Sequence, residues 1–88
     1  MKIRSGYILR QVLDINVVLG VGSDAYVPNQ IMSVNEVGAF LWHLLEEGAE
    51  RQELVDSVTK EYDVDAATAG ADIDSFLAQL REKALIVE

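Results

Sequence analysis

The chain has 88 residues, half of them apolar and a quarter charged, which suits one compact domain with one core and is unlike a disordered chain. It has no cysteine and a single histidine, His43, which excludes disulfides, thiolate nucleophiles, thiolate metal sites and imidazole clusters. A formal net charge of -8 repels phosphate backbones and anionic membranes, no apolar run approaches the roughly 20 residues of a membrane span, and no secretory signal pattern opens the chain, so the expectation is a cytoplasmic protein with a neutral or basic partner.

Residues 7–13 alternate, with Tyr7, Leu9 and Gln11 on one face and Ile8, Arg10 and Val12 on the other, which predicts a first strand ending at the turn former Asp14. Residues 16–21 form an aliphatic run bounded by Gly22-Ser23-Asp24, and predict a second strand closed by a reversal. Pro28 has no amide hydrogen to give a central ladder, so a third strand, Asn29 to Met32, is expected to be short and near an edge.

Ser33-Val34-Asn35-Glu36 has the spacing of a capping box, in which the Ser33 hydroxyl and the Glu36 carboxylate satisfy helix-start amides reciprocally. Val37, Phe40, Leu41, Leu44 and Leu45 follow as an apolar stripe, and Gly48 stands where a left-handed residue ends a helix, which predicts a first helix over about 34–47. A second helix over about 50–62 carries Leu54, Val55, Val58 and Tyr62 on one side, although Ala49 before it is a poor cap. Asp65 caps a third helix with the stripe Ala66, Ala69, Ile73, Phe76, Leu77, Leu80 and Ala84, and Leu85-Ile86-Val87 as its tail. Gly70 within it costs about 1 kcal/mol relative to alanine. Strands followed by helices predict an α+β fold, winged helix-turn-helix-like, with a three-stranded antiparallel sheet followed by three helices in a single domain over residues 1–88.

Trp42 lies off the main stripe of the first helix, so it either covers a second packing contact or marks an interaction surface. His43 has no partner of the kind catalysis needs and reads as a surface residue. Ile73 and Phe76 fall at positions that are ordinarily core, whereas Asp72, at the rim, is either a solvated carboxylate or a partner for a basic group of a ligand. Asp63, Asp65, Asp72 and Asp74 lack the order, central glycine and terminal glutamate of a calcium loop. With no phosphate-binding glycine loop, metal cluster or nucleophile and base pair, neither catalysis nor a cofactor or metal is expected.

The run Asn35-Glu36-Val37-Gly38-Ala39-Phe40-Leu41-Trp42, with Leu45-Glu46-Glu47-Gly48 after it, resembles the pattern of PqqD-like proteins, the recognition elements of ribosomally made, post-translationally modified peptides. The likeness continues through Glu53-Leu54-Val55, Tyr62-Asp63-Val64-Asp65, Asp72-Ile73, Phe76-Leu77, Leu80-Arg81 and Leu85-Ile86, and so covers essentially the whole chain. It departs at Ala84, where these proteins usually have glycine, and at Ala49-Glu50, which replaces their threonine-rich approach to the second helix.

The resemblance implies that the leader of a precursor peptide adds a strand beside the third strand, against the third helix. Unpaired backbone groups on an edge strand give such a peptide its main-chain hydrogen bonds, and side-chain pockets give it specificity. The expected peptide-binding residues are Asn29, Gln30, Ile31 and Met32 on the edge and Asp72, Phe76, Gln79 and Lys83 on the third helix. The expected function is a non-catalytic module that binds the leader and presents it to a modifying enzyme, as in pyrroloquinoline quinone biosynthesis. By resemblance that enzyme is a radical S-adenosylmethionine maturase, a leader peptidase or another modifying enzyme. The alternative is a winged-helix DNA-binding transcription regulator, but Asp65, Asp72 and Asp74 would confront phosphates, so no nucleic acid and no membrane is expected as a partner.

Overall fold

The computed structural model of the protein describes residues 1–20 and 32–88. In chain order the described elements are β1 (Lys2–Ile3), β2 (Tyr7–Val12), β3 (Ile15–Gly20), β4 (Met32–Val34), α1 (Glu36–Glu47), α2 (Arg51–Glu61), α3 (Ala66–Glu82) and β5 (Ile86–Val87). The expected α+β arrangement is present, with an antiparallel sheet in the order β2-β3-β4 followed by the helices. A two-residue loop, Leu13-Asp14, joins β2 to β3, with Val12 opposite Ile15 and Leu9 opposite Val18. Leu13 takes the left-handed φ of 56° in that loop.

Among the described residues the third strand is β4, which contains Met32 and continues past the expected end there. Met32 pairs with Val18, Ser33 with Val17 and Val34 with Asn16, so β4 runs on to Val34. Pro28, Asn29, Gln30, Ile31 and the Gly22-Ser23-Asp24 reversal lie outside the described residues.

This extension overturns the capping box expected at Ser33. A residue committed to a strand ladder cannot also begin a helical turn, so the start moves to Asn35, whose side chain accepts from the Gly38 amide at 2.7 Å. Helix α2 also starts differently from its expectation, with Glu50 as the capping residue and its backbone N–H donating to the Glu53 carboxylate at 3.0 Å. Asp65 caps α3 as expected, accepting from the Thr68 amide at 2.7 Å. That hydrogen bond is the first reason its carboxyl lies below the ordinary carboxylate range.

The apolar tail of the third helix is a strand rather than a continuation. Ala84 turns to φ 57°, and β5 then pairs antiparallel with β1, Lys2 opposite Val87 and Ile3 opposite Ile86. The departure from glycine at this position therefore falls on a left-handed residue, where an alanine side chain is strained by about 1–2 kcal/mol.

One hydrophobic core joins the layers. Ile3, Val18, Leu41, Leu45, Leu54, Ile73, Leu77, Leu80 and Leu85 are all buried in it. The buried stripe of α1 is rotated from the expected one: Gly38, Leu41, Trp42 and Leu45 are inside, while Val37, Phe40 and Leu44 sit at its margin. Trp42 is completely buried, which decides its two readings for packing, and its indole N–H has no hydrogen-bond partner among the described residues. Phe40 meets Tyr62 edge to face at 5.5 Å.

Gly70 lies beside the flexible, half-exposed end of the Arg51 side chain. A Cβ there would stand 2.9 Å from the Arg51 guanidinium, which crosses from α2 to make a two-pronged bridge to Asp74 at 2.7 and 3.0 Å. That hydrogen bond draws the Asp74 carboxyl below its ordinary range.

Candidate functional site

Among the described residues, strand β4 has β3 on one side and ends the three-stranded sheet on the other. Where β4 passes into α1, the surface opens into a groove of about 350 Å³ facing α3. Ser33, Val34 and Asn35 form its near wall, and Val37, Gly38 and Leu41 its floor on α1. Asp72, Ser75, Phe76 and Gln79 form the far wall. Those four recur at i, i+3, i+4 and i+7, so two turns of α3 present them on one face.

Gly38 sets the depth of the groove. A Cβ on it would lie 3.1 Å from the Val34 Cβ and 3.3 Å from both the Asn35 Oδ1 and the Phe76 Cε1. Glycine thus lets the first turn of α1 approach the ring of Phe76. The ring itself is largely buried and still contributes an edge to the groove, so its core and binding readings are compatible. Asp72 is exposed and is the one ionisable residue among the described residues lining the groove, which contain no lysine or arginine. The result is an apolar floor with polar rims of hydroxyl, amide and carboxylate, a lining suited to an extended peptide with alternating side chains.

The expected site residues are distributed as follows. Asp72, Phe76 and Gln79 come together in the groove. Met32 lies in β4 with its side chain in the core, which leaves its backbone as the part a peptide could meet. Lys83 closes α3, its backbone N–H donating to the Gln79 and Arg81 carbonyls, about one turn beyond the groove residue Gln79. Asn29, Gln30 and Ile31 lie outside the described residues.

The sequence reading did not single out Ser33, Val34, Asn35, Val37, Gly38, Leu41 or Ser75 for binding. A signal existed on α3, where Ser75 lies three residues from Asp72 and four from Gln79. The contribution of α1 depended on its true starting point, which the false capping box displaced.

The sequence matches the family model described as coenzyme PQQ synthesis protein D, PqqD, over residues 16–86. No curated protein matches the chain. Among solved structures, one described as "TbiB1 in Complex with the TbiA(beta) Leader Peptide" is 33% identical with a TM-score of 0.75, over 97% of this chain and 93% of that one. Another, "Lasso peptide synthetase B1 complexed with the leader peptide", is 21% identical with a TM-score of 0.74, over 99% of this chain and 96% of that one, a likeness that speaks for the fold. Since the family model spans most of the sequence, including β3, β4 and every helix that builds the groove, the chain belongs to the PqqD family.

Proposed function

We propose that this protein is a non-catalytic recognition module that binds the leader segment of a ribosomally made precursor peptide and presents it to a modifying enzyme. The observation that carries the reading is the groove of about 350 Å³ between the end of β4 and α3, placed beside a sheet edge. A leader laid along β4 gains main-chain hydrogen bonds from the edge, and its alternate side chains enter the groove over Val37, Gly38 and Phe76. Asp72 meets a basic or hydrogen-bond-donating leader residue at the rim. Membership of the PqqD family and the leader-bound relative that is 33% identical support the reading.

Holding the leader raises the effective concentration of the attached core peptide at the enzyme, so the module contributes to maturation without performing chemistry. The enzyme is a radical S-adenosylmethionine maturase or a leader peptidase, and the module works in the cytoplasm, where precursors are made. A groove wall with a carboxylate and no cation suits this partner better than nucleic acid.

Calorimetric titration with synthetic leaders encoded beside the gene tests the reading, with duplex DNA as the competing ligand. Saturable leader binding weakened by Asp72→Ala is expected. Binding of DNA in place of every leader would overturn it.

A further inference from the structure

Asn35 stands where the sheet edge gives way to the helix. The ladder with β3 ends at Val34 opposite Asn16, and Asn35 is still extended, with φ -79° and ψ -178°. Its carbonyl accepts from the Ala39 amide at 2.9 Å, so that part of its main chain belongs to α1. Its side chain lines the groove beside Gly38.

Capping explains only half of this side chain. Oδ1 accepts from the Gly38 amide at 2.7 Å, which commits the oxygen to the helix. The carboxamide nitrogen, with two hydrogens to give, has no hydrogen-bond partner among the described residues. A cap did not require that nitrogen, because aspartate caps as well as asparagine and adds a charge that suits the positive end of a helix. The capping residues of α2 and α3 are indeed carboxylates, Glu50 and Asp65, and neither lines the groove. Among the described helices the amide stands at the one cap that does.

Chemistry restricts what the nitrogen meets. As a donor whose oxygen is committed, it calls for an acceptor. A carboxylate on the peptide is disfavoured by Asp72 across the groove and by Glu36 next to the cap. A main-chain carbonyl is neutral, and an extended peptide beside β4 carries one at every residue. Past Val34 the strand offers such a peptide no further ladder. The carboxamide that follows has the chemistry of the peptide group that a longer ladder would supply.

We infer that Asn35 has a second role as a leader contact: its carboxamide N–H donates to a main-chain carbonyl of the bound leader, adds one rung after Val34, and fixes the register of the peptide at the start of α1. The inference rests on the leader-binding reading above and names the group that this part of the site recognises. The contact ignores the leader side chain at that point, so discrimination between leaders stays with the walls of the groove.

Asn35→Asp and Asn35→Ser test it, since both keep a capping side chain while the first cannot donate and the second is one bond shorter. Urea unfolding of the full chain and calorimetry with synthetic leaders encoded beside the gene are run on both variants and the wild type. Unfolding midpoints should agree with the wild type, while leader Kd rises about threefold to tenfold in Asn35→Ser and roughly tenfold or more in Asn35→Asp. The rise should persist for every single-alanine version of the leader, because each keeps its main-chain carbonyls. Wild-type leader affinity in both variants overturns the inference and leaves the leader reading standing. So does a rise that one alanine-substituted leader abolishes, which gives the contact to a side chain. Lost stability in Asn35→Asp together with wild-type binding in Asn35→Ser assigns the amide to charge avoidance beside Glu36 and Asp72, and overturns the inference too. A wild-type chain that binds no leader overturns the leader reading itself, and this inference with it.

Discussion

Helix α3 and strand β3 both pass the core, and they treat their second sides in opposite ways. On α3, Ala69, Ile73, Leu77 and Leu80 are buried, while Ala71, Asp72, Asp74, Ser75 and Gln79 meet solvent. On β3, Val18 is buried, yet Ile15, Val17 and Leu19 on the other face are aliphatic as well. The helix is finished by folding, since its polar side is solvated, its start is capped by Asp65, and its flank is bridged to α2 by Arg51. The sheet, by contrast, leaves Val12, Leu13 and Ile15 exposed at its hairpin, and among the described residues β4 is its last strand. Stability and recognition are thus held largely in different layers of a small molecule.

The comparison breaks most visibly if the outer face of the sheet turns out to hold the fold together. Leu77→Ala, which empties a buried site, should cost about 2–5 kcal/mol in urea unfolding. Leu13→Gly should leave the unfolding midpoint unchanged or raise it, because it removes an exposed side chain from a strained turn. Comparable losses in the two variants would erase the distinction.

A smaller effect sharpens it at the end of α3. Ala84→Gly should stabilise the chain by about 1 kcal/mol, measured by thermal unfolding, since glycine adopts φ 57° without the steric penalty of a Cβ. At the groove the helix turns exposed polar residues outward. Asp72→Ala should change stability by less than about 0.5 kcal/mol while raising the leader Kd, so calorimetry and unfolding should separate for this residue.

The smallest expected effect concerns acid. Asp65 and Asp74 have carboxyls held below their unfolded value by the Thr68 amide and by Arg51 respectively. A lowered folded pKa gives stability that is present above the unfolded pKa of about 3.9 and lost as pH falls through the folded value. Asp74→Asn should therefore flatten the loss of stability between about pH 5 and about pH 2, seen in urea midpoints across that range, with little loss in Asp65-dependent capping. Both groups are exposed, so the effect is a change of slope rather than a collapse.

The helices were legible because their signals are local. Asp65 before a periodic run, Gly48 after one, and the stripe through Ile73, Leu77 and Leu80 each need only a few neighbouring residues to be read. The start of α1 was not legible for the complementary reason. Ser33 and Glu36 satisfy the capping pattern by spacing, and only the pairing of Ser33 with Val17, a long-range fact, removes Ser33 from the helix. The β1-β5 sheet was missed in the same way, since two-residue strands carry no periodicity and form only because the chain brings Ile3 to Ile86. Trp42 was left with two readings because a single stripe was sought on a helix whose inward side is broader than one stripe, and its burial settles them for packing. Of the candidate site, the α3 wall followed from helical spacing through Asp72, Phe76 and Gln79, but the floor at Gly38 required the close approach of two elements.

That small β1-β5 sheet has a further consequence. Lys2 faces Val87, and the Arg4 amide donates to the Leu85 carbonyl at 2.7 Å, so the two described ends of the fold leave it side by side. A unit with adjoining ends can be set into a surface loop of a larger protein like a bead on a short doubled thread, without either strand being pulled from the body. The same geometry permits the ends to be joined and the chain reopened elsewhere, at Leu13-Asp14 for instance, with β1 and β5 still clasped. Such a rearranged molecule would separate the architecture from the order in which its pieces are made.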